Sequence, residues 1–407
     1  MKSYSEIKVE LKEYLLEELE RRELMNDEEV KELIHNMMLE MGNSKGLLLD
    51  DKLRMGKELF SEIRQLDILQ ELLEDIEITE IMVNGKNHIF IEKNGKIQRS
   101  PLKFESDHKL DNIVQQIVSK SNRVVNEASP IVDARLENGA RVNVVLPPVA
   151  LNGPIVTIRR FPDQPIQMDD LIRFGALNQE IANFLKLLVK AKYNILVSGG
   201  TGSGKTTFLN ALSQSIPKEE RIITIEDNAE LQIQGIDNLV KLETRNANVE
   251  ECQEITIRDL IKTALRMRPN RIIVGEVRGA EAIDMIQCLN TGHDGSLSTA
   301  HANSANDLLY RLETMVLMGI DLPLDAIRRQ IASGVDIIVQ LGRLRDRTRK
   351  VLEIVEVLGI DNQEIQLNRL YEFEEDVISN KEAVVGSLVR KNELQNKEKL
   401  QQAGMEI

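Results

Sequence analysis

The chain has 407 residues, 42% hydrophobic and 29% charged, which is ordinary for a soluble globular protein of two or three domains. A net charge of −14 argues against a nucleic-acid binder held by general electrostatics and leaves only a local basic channel open. Two cysteines, Cys252 and Cys288, outside any C-x-x-C pair, build neither a zinc cluster nor a disulfide framework and fit a reducing cytoplasm.

The amino terminus lacks the apolar stretch of a signal peptide, and the longest uncharged run, Val142 to Ile158, is broken by Pro147, Pro148 and Pro154, so it is no membrane span. Residues 1–65 are expected to form an N-terminal helical segment. Ile7, Leu11, Leu15 and Leu19 recur every four residues, and Val30, Leu33, Ile34, Met37 and Met38 repeat the theme. Residues 1–40 carry six Lys/Arg and twelve Asp/Glu. The plain reading is a small bundle with a solvated acidic face; the sharper one is a docking module. Residues 66–161 read as an α+β domain. Ile76 to Val83 has strand character, Asn94-Gly95 between His88–Lys93 and Lys96–Arg99 signals a hairpin, Leu110 to Lys120 reads as a helix, and Ala140 to Leu146 as another strand. Pro162-Asp163-Gln164-Pro165 opens a linker over 162–170, since two prolines resist helix and sheet alike.

Residues 171–360 alternate. Apolar strands are predicted at Ile195–Val197, Ile222–Ile225, Ile272–Val274, Ser296–Thr299 and Val335–Leu341, with helices at Ile257–Met267, Ala280–Leu289 and Ala305–Met318. Such alternation implies a mostly parallel sheet covered by helices. Residues 361–407 are Lys/Glu/Gln-rich and read as a polar, frayed C-terminal tail.

The chemistry centres on Gly199-Gly200-Thr201-Gly202-Ser203-Gly204-Lys205-Thr206-Thr207, which fits the phosphate-loop pattern G-x-x-x-x-G-K-[ST]. Glycines let successive backbone N–H groups turn toward an anion, and the following helix adds its dipole. Lys205 is expected on the β- and γ-phosphates of ATP and the Thr206 hydroxyl on Mg²⁺. Hydrolysis needs an acid as well. Glu226 ends one apolar strand and is a candidate for water or Mg²⁺, against plain turn chemistry. Glu276 ends a second strand, Arg271 to Glu276, in the manner of a Walker B element, and is the candidate to polarise the attacking water. Arg278 reads either as a phosphate sensor or as a salt-bridge partner. Of the two histidines in Thr291 to Asn303, His301 lies at a strand end where ligands bind and is expected to touch phosphate; His293 stays open between contact and structure. Their spacing fits no zinc site.

The loop together with Thr224-Ile225-Glu226-Asp227, Leu265-Arg266-Met267-Arg268-Pro269, Gly275-Glu276-Val277-Arg278-Gly279 and Thr291-Gly292-His293-Asp294-Gly295 resembles the type II/type IV secretion ATPase superfamily. The Asn138 to Asn143 and Thr157 to Phe161 stretches resemble its CpaF-type branch, the ATPases of tight-adherence (Tad) pili. The resemblance spans about residues 70 to 360. It implies an α/β chain whose RecA-like P-loop ATPase domain follows an α+β (PAS-like) domain and the helical segment. It implies a cytoplasmic homo-hexamer, peripheral at the inner face of the membrane, working with inner-membrane platform proteins of a pilus or secretion system. Glu276 would be the general base, Glu276 and Glu226 would serve the metal, and His293 and His301 would link nucleotide state to conformation. Phosphate-contacting arginines would lie at Arg141, then Arg159, then Arg160, at least one of which is expected to be structural. The Cys₄ zinc module of general-secretion ATPases is missing. The rival reading is a DNA-transfer motor of a conjugation system. The acidic balance and 3% aromatic content count against it, so no stable nucleic-acid partner is expected.

Overall fold

The computed structural model describes residues 3–22, 25–93, 95–121, 123–161, 165–245 and 253–406. Cys252 and the Pro162, Asp163 and Gln164 portion of the expected linker lie outside them. The chain divides into two units, Met1–Pro162 and Asp163–Ile407.

The first unit opens with α1 (Tyr4–Glu20), α2 (Asp27–Ser44), α3 (Leu49–Arg64) and α4 (Ile68–Glu74). Ser3 caps α1, accepting from the Glu6 N–H while the Glu6 carboxylate accepts from the Ser3 N–H. Ile7, Leu11, Leu15, Val30, Ile34, Met37, Met55 and Leu59 close one small core. Then follow β1 (Ile78–Asn84), β2 (Ile89–Lys93), β3 (Lys96–Arg99), α5 (Asp107–Lys120), β4 (Ile131–Arg135), β5 (Arg141–Val145) and β6 (Ile155–Arg159). Their antiparallel sheet runs β3-β2-β1-β6-β5-β4. Its inner face packs on Leu69, Leu72 and Leu73 of α4 and Leu110, Ile113, Val114 and Ile117 of α5. Charge holds the helical segment together and ties it to α5: Glu62 on α3 meets Lys8 and Lys12 of α1 at 2.6 and 2.7 Å and Lys109 of α5 at 3.3 Å. Burial alone would raise the Glu62 carboxyl, but hydrogen bonds from Lys12 and Lys8 and the charge of Lys109 outweigh it and hold it at about 2.

The second unit contains α6 (Met168–Arg173), α7 (Gln179–Lys190), β7 (Ile195–Gly199), α8 (Lys205–Ser213), β8 (Ile222–Glu226), β9 (Leu239–Glu243), α9 (Ile257–Ala264), β10 (Arg271–Val277), α10 (Ala282–Leu289) and β11 (Leu297–Ala300). It continues through α11 (Ala305–Gly319), α12 (Leu324–Gly334), β12 (Ile337–Arg343), β13 (Arg349–Asp361), β14 (Glu364–Glu375), β15 (Gly386–Arg390) and α13 (Glu398–Gln402). One sheet of order β15-β14-β13-β12-β7-β11-β10-β8-β9 holds them. Strands β12 to β9 in that order are parallel, and β13 to β15 add antiparallel neighbours. Alternate residues bury to opposite faces. Ile195, Val197, Ile273 and Leu297 pack under α7 and α8, while Leu196, Ile272, Val274 and Ile338 pack under α9 to α12.

The expected frayed tail over 361–407 is corrected by this sheet. Strands β14 and β15 extend it, Leu370, Leu394 and Leu400 are buried, and the Tyr193 hydroxyl donates to the Asn396 carbonyl at 2.6 Å. Polar composition misled because these strands leave much of their surface to solvent. Among the described residues no helix is long and apolar enough to cross a membrane.

Candidate nucleotide site

Strand β7 delivers the chain to Gly199 at the carboxyl edge of the sheet, and α8 begins at Lys205. Glycine is required at two points of the turn between them. A Cβ on Gly199 would lie 2.5 Å from Ser203 Oγ and 2.7 Å from the Leu341 carbonyl oxygen. Gly204, the N-cap of α8, sits at φ 93, in the left-handed region. Ser203 Oγ donates to the Gly200 carbonyl at 2.8 Å. The first N–H groups of α8 and its dipole therefore head a built anion cradle.

Lys205 is buried, and its Nζ donates to the carbonyls of Gly199 (3.2 Å) and Gly200 (3.3 Å). The same Nζ lies 3.1 Å from Nδ1 of His301, which follows β11. His301 Nε2 stands 2.7 Å from Glu276 Oε1, and Glu276 Oε2 accepts from Arg278 at 2.5 Å. Lysine, histidine, glutamate and arginine thus form one continuous polar line across the ends of β7, β11 and β10. Burial pushes the His301 pKa down; Glu276 opposes this, while Lys205, Arg278 and Arg311 reinforce it. A neutral ring accepts from Lys205 at Nδ1, while Glu276 Oε1, though close to Nε2, is buried with no hydrogen-bond partner among the described residues.

Glu226 ends β8 and is buried. Its Oε1 accepts from the N–H groups of Glu230 (2.8 Å) and Leu231 (2.9 Å), while Oε2 has no hydrogen-bond partner among the described residues. Burial raises its carboxyl to about 7 against those two hydrogen bonds. Gly275 makes room for it: a Cβ there would lie 2.8 Å from Glu226 Cγ. Thr206 Oγ1 is 3.5 Å from Glu230 Oε2. The oxygen donors, one of them buried and unmatched, suit a hard cation such as Mg²⁺. No group of three metal-binding side chains occurs among the described residues, so such an ion would draw its remaining ligands from phosphate and water.

The structure does not bring His293 to this cluster. It precedes β11, at the amino edge of the sheet, with its carbonyl accepting from Ser296 Oγ at 2.8 Å and its Nδ1 3.4 Å from Thr291 Oγ1. Four residues of extended strand separate that edge from His301. Arg141, Arg159 and Arg160 belong to the first unit. Arg141 and Arg159 face each other across β5 and β6, with Asp133 3.7 Å from Arg141 and Arg159 exposed. Arg160 donates to the carbonyls of Asp75 and Ile78, which makes it the structural member of the three. Two arginines that motif reading missed border the loop, Arg343 at the end of β12 and Arg349 at the start of β13. Arg349 Nε donates to the Gly202 carbonyl at 2.8 Å. The available signal was the alternation Arg343, Arg345, Arg347, Arg349 in an acidic chain.

A phosphate loop between a parallel strand and a helix, with acids ending two neighbouring strands, defines a P-loop ATPase. Residues 62–395 match the model of the type II/IV secretion system protein family, and the chain belongs to that family. It is 35% identical over 302 residues to a putative conjugal transfer protein of Mycobacterium tuberculosis, covering 73% of this chain and 85% of that protein. It is 32% identical to the probable conjugal transfer protein TrbB of Sinorhizobium fredii (80% and 98% covered) and 34% to the type IV secretion system protein PtlH of Bordetella pertussis (71% and 93%). Its fold is similar to that of the pilus retraction motor PilT with bound ADP, at a TM-score of 0.51, 20% identity and coverage of 83% of this chain and 88% of that one. These relatives carry conjugal-transfer and type IV secretion names rather than the CpaF name its motifs resemble.

Proposed function

We propose that this chain is a hexameric motor at the inner face of the cytoplasmic membrane, hydrolysing ATP to power assembly of a Tad-type pilus or export of protein. The carrying observation is the Lys205–His301–Glu276 line at the carboxyl ends of three strands, beside Thr206 and Glu226. In this reading the loop N–H groups and Lys205 hold the phosphates, and Glu276 takes a proton from the attacking water. Arg278 holds Glu276 in orientation through its second oxygen. His301, neutral and set between Lys205 and Glu276, reports the γ-phosphate to the base. Thr206 and Glu226 would hold Mg²⁺, which would neutralise charge on the phosphates. Transition-state charge calls for an arginine, worth ~10³–10⁵ in rate; Arg141 is our first candidate and Arg159 the second.

A second reading, a DNA-transfer motor of a conjugation system, is favoured by the conjugal-transfer names of its relatives. One assay separates the two. Purified protein should release phosphate from ATP only with Mg²⁺, as a particle of six chains, at a rate that DNA leaves unchanged. Absence of turnover would remove the motor, and stimulation by DNA would select the second reading.

A further inference from the structure

The β12–β13 ladder sets Arg343 directly opposite Arg349. Like charges facing each other across a ladder are destabilising unless something neutralises them. Arg343 is exposed, and its side chain makes no ion pair among the described residues. Both arginines stand over the phosphate loop. Arg349 donates to the Gly202 carbonyl at 2.8 Å, and its Cδ would lie 3.4 Å from a Cβ on Gly204. Arg343 Nη1 would lie 4.0 Å from a Cβ on Gly202. Elsewhere in the hairpin Arg345 is spent on Glu375 at 2.8 Å, and Arg347 is exposed in the turn.

Strand order gives this pair a direction. β7, which carries the loop, lies between β12 on one side and β11, β10 and β8 on the other. The acids Glu276 and Glu226 end β10 and β8. A triphosphate lying across the loop with its γ end toward those acids therefore has its nucleoside end toward β12 and β13. We propose that Arg343 is a nucleotide-binding residue that grips the phosphate nearest the nucleoside, and that Arg349 is a positioning residue that holds the Gly202 turn beneath it. The inference rests on the loop being an ATP site. A planar guanidinium fork suits a phosphate, and an anion between the two arginines relieves their mutual repulsion.

The contact is common to ATP and ADP and lies away from the reacting phosphorus, so it separates KM from kcat. With Mg²⁺ and full-length protein, Arg343→Ala should weaken ADP binding and raise KM for ATP by about tenfold or more, with kcat little changed. Arg343→Lys should recover part of the loss, Arg349→Ala should raise KM in the same sense, and Arg347→Ala should do nothing. In unmutated protein, ADP should shield Arg343 from phenylglyoxal and leave Arg347 reactive, read by mass spectrometry. Wild-type ADP affinity in Arg343→Ala, equal labelling of Arg343 with and without ADP, or a loss confined to kcat overturns the proposal. If the unmutated protein binds neither ADP nor ATP, the ATP-site reading itself fails before any variant is compared.

Discussion

The two ends of the parallel sheet in the second unit both bury charge, and they do so differently. At the amino end the charges are paired. Asn194 donates to the Gly334 carbonyl (2.8 Å) and accepts from the N–H groups of Gly295 (2.9 Å) and Ser296 (3.1 Å). Lys399 of α13 bridges Asp336 (2.6 Å) and Asp294 (2.7 Å). Arg271, fully buried, forks onto Glu220 at 2.5 and 3.0 Å and also caps the Val189 carbonyl at 2.7 Å. At the carboxyl end Glu226 Oε2 and Glu276 Oε1 are buried with no hydrogen-bond partner among the described residues, and a titratable ring stands between Lys205 and Glu276. A buried charge whose partners are all present is architecture; one whose partner is withheld is set up for a ligand.

Lys205→Ala should break the carboxyl end outright, reducing ADP binding and ATP turnover to background; wild-type titration by that variant would remove the loop as the phosphate site. Glu276→Gln keeps shape and loses basicity, so it should bind ATP yet turn it over ~10²–10⁴-fold more slowly. Near-normal turnover in an assembled preparation would end its assignment as base. At the other end, Arg271→Met leaves Glu220 buried without its counter-charge and should cost about 3–5 kcal/mol in urea unfolding, with ADP affinity of the folded protein unchanged. Affinity loss without stability loss would erase the distinction between the ends. Glu226 sharpens it through pH. Its carboxyl rises from an ordinary 4.5 to about 7, so the folded state holds the proton more tightly. That contribution to stability is fully present below about 4.5 and is lost as pH rises through about 7. The melting temperature of Glu226→Gln should therefore gain on the wild type between those values in nucleotide-free protein, and a pH-independent difference would contradict the shift. The smallest effect is expected at His293, whose alanine variant should keep kcat and ADP affinity, whereas His301→Ala lowers kcat. Equal losses in the two would mean that both ends serve the reaction.

The loop, both acids and His301 were legible because each sits where an apolar run stops, and in a parallel sheet that is where ligands meet strand ends. His293 was left open for a related reason. Proximity in sequence to His301 conceals a strand whose two termini lie on opposite edges. Strand β9, half-exposed at the sheet's edge, carried too weak an apolar pattern to be recognised. The C-terminal strands were lost because their cores rest on a few residues, Leu370, Tyr371 and Leu394, spaced among charges. The Lys399 and Asp336 pair is 63 positions apart and has no local signature. The close approach of Arg349 to the loop depends likewise on a hairpin register that composition does not reveal.

Gly275 draws these strands together. It precedes the base candidate on β10 and touches the acid on β8, whose Cγ would stand 2.8 Å from any added methyl. The placement of the acid on one strand thus depends on a missing atom on its neighbour. A methyl there cannot be absorbed by a flexible tip, because the nearest atoms belong to the carboxylate's own stem. Alanine at 275 would re-aim one acid while nominally leaving every reactive group intact, a lesion visible only in spacing.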